Sequence, residues 1–152
     1  MSTDRSDGGA PPCYARGMRW SILVVDDEPD VREVFAEYLA GLGHRVTAAE
    51  SGREAMETVQ AGTRFDLALV DWNLPGISGR DVVYGLRLHS PDTVVVLTTG
   101  DVRGPLKDGV AAAGAVDVLV KPFSLRALRD RLERAMAGAS AFPVEQLVES
   151  PL

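Results

Sequence analysis

Short apolar runs alternate along this chain with stretches of helical periodicity, and this alternation constrains the fold more than any other feature. Apolar runs suit strands buried on both faces, whereas apolar residues spaced three or four positions apart suit helices that cover such strands. The runs that predict strands are Trp20–Val25, Arg45–Ala48, Phe65–Val70, Val94–Thr98 and Val116–Val120. Since helices that connect parallel strands form right-handed crossovers, the pattern predicts an α/β fold with a doubly wound, five-stranded parallel sheet.

Five helices are predicted, one after each strand, and apolar residues define the inner faces of four of them. These faces comprise Val31, Val34, Phe35, Tyr38, Leu39 and Leu42 in the first helix, Ala55, Met56 and Val59 in the second, Val82, Val83 and Leu86 in the third (Gly79–His89), and Leu125, Leu128, Leu132 and Met136 in the fifth (Ser124–Ala137). Ser51 and Glu54 should cap the second helix. The fourth helix, between Gly100 and Gly114, should be the loosest element because glycine and proline interrupt it.

Size and charge limit what this chain can be. A length of 152 residues with 45% apolar residues is enough to bury one substantial core. We predict one ordered domain over residues 19–138, with a polar, Gly- and Pro-rich tail at 1–18 and a second tail at 139–152. The net charge of −6 argues against direct binding of nucleic acid, which requires a clustered basic surface.

Cysteine and apolar-run content restrict the setting of the chain. Cys13 is the only cysteine, which excludes an intrachain disulfide and a cysteine metal cluster. No apolar run approaches the roughly 18 residues that a membrane-spanning helix needs. The amino terminus also lacks an apolar secretory core. We therefore expect a cytoplasmic protein without membrane insertion.

Polar side chains follow four of the predicted strands. Asp26 and Asp27 follow the first strand, Asp71 the third, Thr98 the fourth and Lys121 the fifth. The carboxyl ends of parallel strands share one edge of a sheet, and open α/β sheets bind their ligands at that edge. We therefore expect these side chains to converge on a single site.

Three carboxylates at one edge repel each other, and a hard divalent cation relieves that repulsion. Magnesium, as Mg²⁺, prefers oxygen ligands and commonly uses one or two carboxylates together with a phosphate. We predict Asp71 and Asp27 as direct ligands, Asp26 as a ligand through water, and the backbone carbonyl of Asn73 as a further ligand.

Such a metal would let Asp71 attack an incoming phosphoryl group and form an aspartyl phosphate. Lys121 would neutralise one phosphoryl oxygen, and the Thr98 hydroxyl would bond another. The loop after Thr98 would then move inward, and the weakly supported fourth helix would shift in response.

These motifs resemble the receiver domain of two-component response regulators. The matching stretches are VVDDEP, LVDWNLPGISG, VVVLTT and AGAVDVLVKPF, which are spread over Trp20–Met136. The resemblance implies a flavodoxin-like receiver fold with strand order 2-1-3-4-5, and often a cis peptide before Pro122. It also implies a requirement for Mg²⁺ and a histidine kinase or histidine phosphotransfer protein as phosphoryl donor.

We expect output through protein contacts on the surface formed by the fourth helix, the fifth strand and the fifth helix. No DNA-binding module fits into the remaining tail, so we expect the output to be a protein contact, either with a downstream target or onward to a phosphotransfer protein. The same surface could form a homodimer.

Two positions depart from the family pattern. An aromatic residue usually stands two positions after the Asp of the fifth-strand motif, but here Val118 and Leu119 follow Asp117. Thr99 stands where the family prefers Ala or Gly. We hypothesise that Thr99 crowds the entry to Asp71 and slows phosphotransfer or hydrolysis.

Two other functions are alternatives to a phosphoacceptor receiver. A phosphatase of the haloacid dehalogenase type needs a second Asp two residues after its nucleophile, whereas Glu28 and Asn73 occupy those positions after Asp26 and Asp71. A receiver-like module that binds proteins without carrying phosphate is the other alternative; the missing aromatic residue favours it, whereas the intact acidic set argues against it. Taken alone, Asp71 could be a turn residue, and Asp26 and Asp27 could stabilise a helix start.

Three residues carry further expectations. Trp72 follows the acceptor directly, so it should be partly exposed beside the site. His44 and His89 should be surface residues next to turns, and neither has the spacing of a metal ligand.

Overall fold

The computed structural model describes residues 19–101, 103 and 114–138. Its strands are β1 (Ser21–Val25), β2 (Arg45–Ala49), β3 (Leu67–Asp71), β4 (Val94–Thr99) and β5 (Ala115–Val120). Its helices are α1 (Pro29–Gly41), α2 (Gly52–Gln60), α3 (Gly79–His89) and α4 (Leu125–Met136). The fourth predicted helix and both predicted tails lie almost entirely outside the described residues, so α4 is the fifth helix of the sequence analysis.

The strands form one parallel sheet in the order β2-β1-β3-β4-β5, which confirms the predicted doubly wound topology. β2 and β5 are the edge strands of this sheet. β3 begins at Leu67 rather than Phe65, because Asp66 bonds to the start of β1 through its N–H and its carboxylate. It continues to Asp71, so the predicted acceptor is the last residue of the strand. In the described residues no helix has the length and apolarity to cross a membrane.

Two apolar cores cover the sheet, one on each face. The first core packs α2 and α3 against Leu23, Val25, Ala68, Val70, Val95, Leu97 and Val118. The second core packs α1 and α4 against Ile22, Val24, Leu67, Leu69, Val96 and Leu119. Side chains alternate between the faces of a strand, so this division fixes which face each residue after a strand can reach.

The predicted inner faces of the helices are largely confirmed. Val82, Val83 and Leu86 of α3 are completely buried. In α1 the prediction is wrong for Val34 and Leu42, which are 47% and 39% exposed. The buried stripe of α1 is centred on Phe35 and Leu39, which leaves Val34 on the flank, and Leu42 is the C-cap, where the chain leaves the helix.

The starts of α2 and α3 are capped by serine side chains. Ser51 accepts a hydrogen bond from the N–H of Glu54, as predicted. The Glu54 carboxylate accepts a hydrogen bond from the N–H of Glu50 instead of that of Ser51, so the second hydrogen bond of the capping box is shifted by one residue. Ser78 forms a full capping box with Asp81 at the start of α3. This cap fixes the entry of the chain into α3 directly after the loop that follows Asp71.

A buried ion pair joins β5 to α4. The Asp117 carboxylate is 1% exposed, although it lies within an apolar strand. Arg131 of α4 donates to both of its oxygens, at 2.6 and 2.5 Å, and also to the carbonyl of Val118 at 3.3 Å. The hydrogen bond to Asp117 raises the pKa of Arg131. This pair was not predicted, and it holds α4 against the edge strand of the sheet.

His44 is half-buried rather than a simple surface residue. Its ring stacks on Trp20 with centroids 4.6 Å apart, and its Nδ1 accepts a hydrogen bond from the Trp20 N–H at 3.1 Å. Trp20 is itself 5% exposed, so it shields one face of the imidazole. His89 is exposed, as predicted.

Burial lowers the pKa of His44 below its usual value, and this makes folding stability depend on pH. The unfolded chain binds the proton more readily than the folded chain, so the free energy of unfolding should decrease as the pH falls through the ordinary histidine pKa of about 6.5. Urea unfolding at pH 7.5 and pH 5.5 measures this. His44→Gln should reduce the difference between the two midpoints, while His89→Gln should preserve it. Equal pH dependence in all three proteins would refute the prediction.

Candidate functional site

The alternation of side chains brings the predicted site residues to one face at the carboxyl edge of the sheet. Four of the predicted site residues each follow, by two positions, a strand residue of the second core, which packs α1 and α4 against the sheet. Side chains two positions apart on a strand point to the same face. The pairs are Val24 and Asp26, Leu69 and Asp71, Val96 and Thr98, and Leu119 and Lys121. Asp71 and Thr98 are also direct partners in the β3 to β4 register.

Asp71 is a buried carboxylate at the tip of the central strand. It is 6% exposed, and its Oδ1 accepts a hydrogen bond from the N–H of Asn73 at 3.0 Å. Its pKa is raised because burial outweighs the Asn73 hydrogen bond and the charge of Lys121, which both lower it. Burial therefore disfavours the ionised form of Asp71 unless further positive charge compensates it.

Lys121 reaches back over the sheet edge from the turn after β5. Its Nζ donates to Oδ2 of Asp26 at 3.0 Å and lies 3.4 Å from Oδ2 of Asp71. Burial tends to lower the pKa of Lys121, but the hydrogen bond and charge of Asp26, together with those of Asp71, outweigh it and raise the pKa. The Lys121–Pro122 peptide is cis, as the resemblance implied. The ammonium group thus stays charged between the two carboxylates.

Asp26 and Asp27 differ sharply in their surroundings. Asp26 is 1% exposed, and both of its oxygens are engaged, Oδ1 by the Glu28 N–H at 3.0 Å and Oδ2 by Lys121. Asp27 is exposed. One carboxylate oxygen each from Asp26, Asp27 and Asp71 lie within 4.8 Å of one another. An all-oxygen cluster of this size fits a hard divalent cation.

Thr98 and Thr99 are both buried, at 1% and 0% exposure, but they point to opposite faces of β4. Thr98 shares the face of Asp71. The Thr99 hydroxyl instead accepts hydrogen bonds from the Asn73 side-chain amide at 3.4 Å and the Asp101 N–H at 3.1 Å. Thr99 therefore reaches the site indirectly, through the side chain of Asn73.

The loop after Asp71 folds back closely on the end of β3. The N–H of Gly79 bonds to the carbonyl of Trp72 at 3.1 Å. A Cβ at position 79 would lie 2.4 Å from the Asp71 carbonyl oxygen and 2.6 Å from the Trp72 Cα, so only glycine fits there. Trp72 is partly exposed, as expected, and its N–H bonds to the carbonyl of Thr98 at 2.8 Å. Backbone bonds thus fix the position of the acceptor.

Arg32 is a residue of the site that the sequence analysis missed. It lies in the first part of α1, and its Nη1 donates to the backbone carbonyl of Asp26 at 2.8 Å. The available signal was its position one helical turn into α1, from which a long side chain can reach back to the loop that precedes the helix.

An apolar groove of about 340 Å³ opens beside the acidic cluster. It is lined by Asp30, Val31, Val34, Phe35, Lys121, Pro122 and Phe123. The rings of Phe35 and Phe123 stack at 5.6 Å. The exposed Val34 thus belongs to a surface that adjoins the predicted catalytic lysine.

The comparisons with known proteins agree with this geometry. Residues 22–133 match the family described as the response regulator receiver domain. The transcriptional regulatory protein TcrA of Mycobacterium tuberculosis is 37% identical over 151 residues, which cover 98% of this chain and 58% of TcrA. The chemotaxis protein CheY of Pseudomonas aeruginosa is 32% identical over 119 residues, which cover 74% of this chain and 93% of CheY. The chain thus spans little more than half the length of TcrA.

A solved structure supports the same assignment. The response regulator TrrA of Thermotoga maritima, in complex with Mg(2+)-BeF, superposes with a TM-score of 0.68 at 34% identity. The superposition covers 78% of this chain and 99% of TrrA. The family match, the order of the parallel sheet and the acidic cluster at its carboxyl edge all agree. This chain therefore belongs to the receiver domains of two-component response regulators.

Proposed function

We propose that this receiver takes a phosphoryl group from a phosphohistidine onto Asp71. The observation that carries the proposal is the position of Lys121 Nζ, 3.0 Å from Asp26 and 3.4 Å from Asp71. This ammonium group bridges the predicted acceptor and Asp26, which is where an extra negative phosphoryl oxygen needs compensation. The donor in this family is a histidine kinase or a histidine phosphotransfer protein.

In the proposed reaction, one carboxylate oxygen of Asp71 attacks phosphorus while the bond from phosphorus to the donor imidazole breaks. Lys121 compensates the negative charge on the phosphoryl oxygens, and Thr98, on the same face of the sheet, donates its hydroxyl to one of them. Asp27, Asp71, the Asn73 carbonyl and, through water, Asp26 would hold Mg²⁺, which would supply positive charge that reduces repulsion between donor and acceptor.

The donor is proposed to be a protein that docks beside the site. The groove is lined by the stacked Phe35 and Phe123 and also by Lys121. A small phosphoryl donor would leave this apolar surface uncovered, whereas a protein donor could bury it. The exposed Asp30 lines the groove, and the exposed Glu33 lies on the same helix, α1. A basic, partly apolar helix from the donor would complement this surface.

The proposed output is a protein contact made by the fourth predicted helix, β5 and α4, a surface that could also pair two copies of the chain. The receiver domain is proposed to occupy residues 19–138, with the flanking segments 1–18 and 139–152 outside it, and to act in the cytoplasm. A receiver that never carries phosphate would need no cation at its acidic cluster, so the phosphoacceptor function accounts better for three carboxylates close enough together to share one ion.

The proposal is tested by weighing the intact protein after incubation with Mg²⁺ and a small phosphoryl donor such as acetyl phosphate. We expect one added phosphoryl group, and none when Mg²⁺ is chelated before the donor is added. Borohydride trapping should map the added group to the peptide that contains Asp71. A mass that stays unchanged with both the small donor and a panel of phosphorylated histidine phosphotransfer proteins would disprove the proposal.

Thr99→Ala should change the lifetime of the phosphoryl group. The substitution removes the hydroxyl that holds the Asn73 side-chain amide, so it frees the side chain of Asn73 beside the acceptor. We expect phosphorylation and hydrolysis each to accelerate by about threefold, since a neutral hydrogen bond contributes roughly 0.5–1.5 kcal/mol. Decay of the phosphorylated protein, followed by intact mass, measures the effect. Thr63→Ala, at the other end of the sheet, is the control, and equal rates for Thr99→Ala and the parent would reject the hypothesis.

A further inference from the structure

We infer that Arg32 is a positioning residue for the divalent cation site, because it fixes the peptide unit that carries Asp27. The inference rests on the proposed function, since it concerns the same acidic cluster. It assigns to an arginine outside the recognised motifs a specific task, which is to hold the exposed ligand Asp27 within reach of Asp71.

Every polar group of Asp26 is held by a different partner. Its N–H bonds to the carbonyl of Ala49 at 3.2 Å, and its two carboxylate oxygens accept from Glu28 and Lys121 at 3.0 Å each. Arg32 takes the remaining group, the backbone carbonyl, at 2.8 Å. Asp26 is thereby fixed in position and orientation.

The backbone carbonyl matters because it belongs to the peptide unit that joins Asp26 to Asp27. A peptide unit is planar, so a hydrogen bond that fixes the direction of its carbonyl also fixes the position of the next Cα. Asp27 is exposed, and its placement therefore depends on the backbone more than that of the buried Asp26. Arg32 controls that backbone from α1, while its own N–H bonds to the Glu28 carbonyl at 2.9 Å.

The charge of Arg32 and its hydrogen bond act on metal binding in opposite directions. A guanidinium group near the cluster repels a divalent cation, so loss of its charge alone would strengthen cation binding. Loss of the hydrogen bond would free the Asp26–Asp27 peptide unit and weaken binding, because the ligands would then have to be ordered during binding. Loss of outer-shell partners of metal ligands commonly weakens affinity by about 10–100-fold. The sign of the change therefore identifies the role.

The test measures Mg²⁺ affinity of the full chain by isothermal titration calorimetry, with urea unfolding to verify that each variant is folded. Arg32→Met removes both the charge and the hydrogen bond, whereas Arg32→Lys keeps the charge but loses the reach of the guanidinium group. We expect Mg²⁺ binding about tenfold weaker in Arg32→Met and clearly weaker in Arg32→Lys. Arg45→Met makes the same change of charge at the opposite edge of the sheet and should bind Mg²⁺ as the parent does.

The outcomes separate this inference from the function on which it rests. Tighter binding in Arg32→Met together with unchanged binding in Arg32→Lys would overturn the inference and assign Arg32 a purely electrostatic effect. Unchanged binding in both variants would overturn it as well. Absence of Mg²⁺ binding in the parent would instead contradict the proposed cation site itself.

Discussion

An Asp71→Asn variant is expected to take up no phosphoryl group under conditions in which the parent is fully modified. The amide keeps the size of the side chain and an oxygen that can accept the Asn73 N–H, which now bonds to Oδ1 at 3.0 Å. It lacks the anionic oxygen that attacks phosphorus, and it removes one of the three carboxylates of the acidic cluster. Intact mass after incubation with Mg²⁺ and acetyl phosphate measures the loss.

The fold should survive this substitution, which makes its effect interpretable. Burial raises the pKa of Asp71, so the folded protein disfavours the ionised form that Asn replaces. Lys121 retains Asp26 as a partner at 3.0 Å. We therefore expect a urea midpoint equal to or above that of the parent at pH 7.

Asp92→Asn is the matched control. Asp92 is exposed in the turn before β4, at the opposite edge of the sheet, so the same chemical change there should leave phosphoryl uptake intact. Full modification of Asp71→Asn would show that another residue accepts the phosphoryl group. Loss of uptake in both variants would mean that overall acidity, rather than the acceptor position, controls the reaction.

The sequence predicts the gathering of the site residues because that depends on topology. Alternating strands and helices imply parallel strands, and parallel strands end at a common edge, so Asp26, Asp71 and Thr98 had to meet once the strands were assigned. Alternation along each strand then fixed which face they share. Neither step required knowledge of how helices pack on the sheet.

Contacts that depend on the exact docking of a helix could not be predicted in the same way. Arg32 and Arg131 each lie on a helix with several charged residues, and only the rotation and tilt of the helix decide which guanidinium reaches the sheet. The stacking of His44 on Trp20 joins residues 24 positions apart and depends on the register of β1 against β2. The exposure of Val34 also depends on how α1 docks, because sequence periodicity identifies the apolar face of a helix but not which residues at the border of that face are covered.

The Asp117–Arg131 pair carries the second large effect. Arg131→Met should lower the free energy of unfolding by about 3 kcal/mol, the lower end of the range for breaking a buried ion pair by removing one partner. Asp117 is 1% exposed and would keep the Val118 N–H, at 2.8 Å, as a donor. The side chain of Arg131 is 33% exposed, so in the variant water can partly solvate Asp117 from that side. We therefore expect a destabilisation at the lower end of the range.

The double variant Asp117→Leu, Arg131→Met distinguishes a cost of isolated charge from a cost of lost packing. Replacing both members of a buried pair by apolar residues of similar size is often close to neutral. We therefore expect the double variant to be more stable than Arg131→Met alone, by urea unfolding of each protein. Arg126→Met, which removes an exposed arginine from the same helix, should change stability by less than about 0.5 kcal/mol. If Arg131→Met were as mild as Arg126→Met, the pair would behave as a surface ion pair, and the attachment of α4 to β5 would have to rest on the apolar contacts of Leu128 and Leu132.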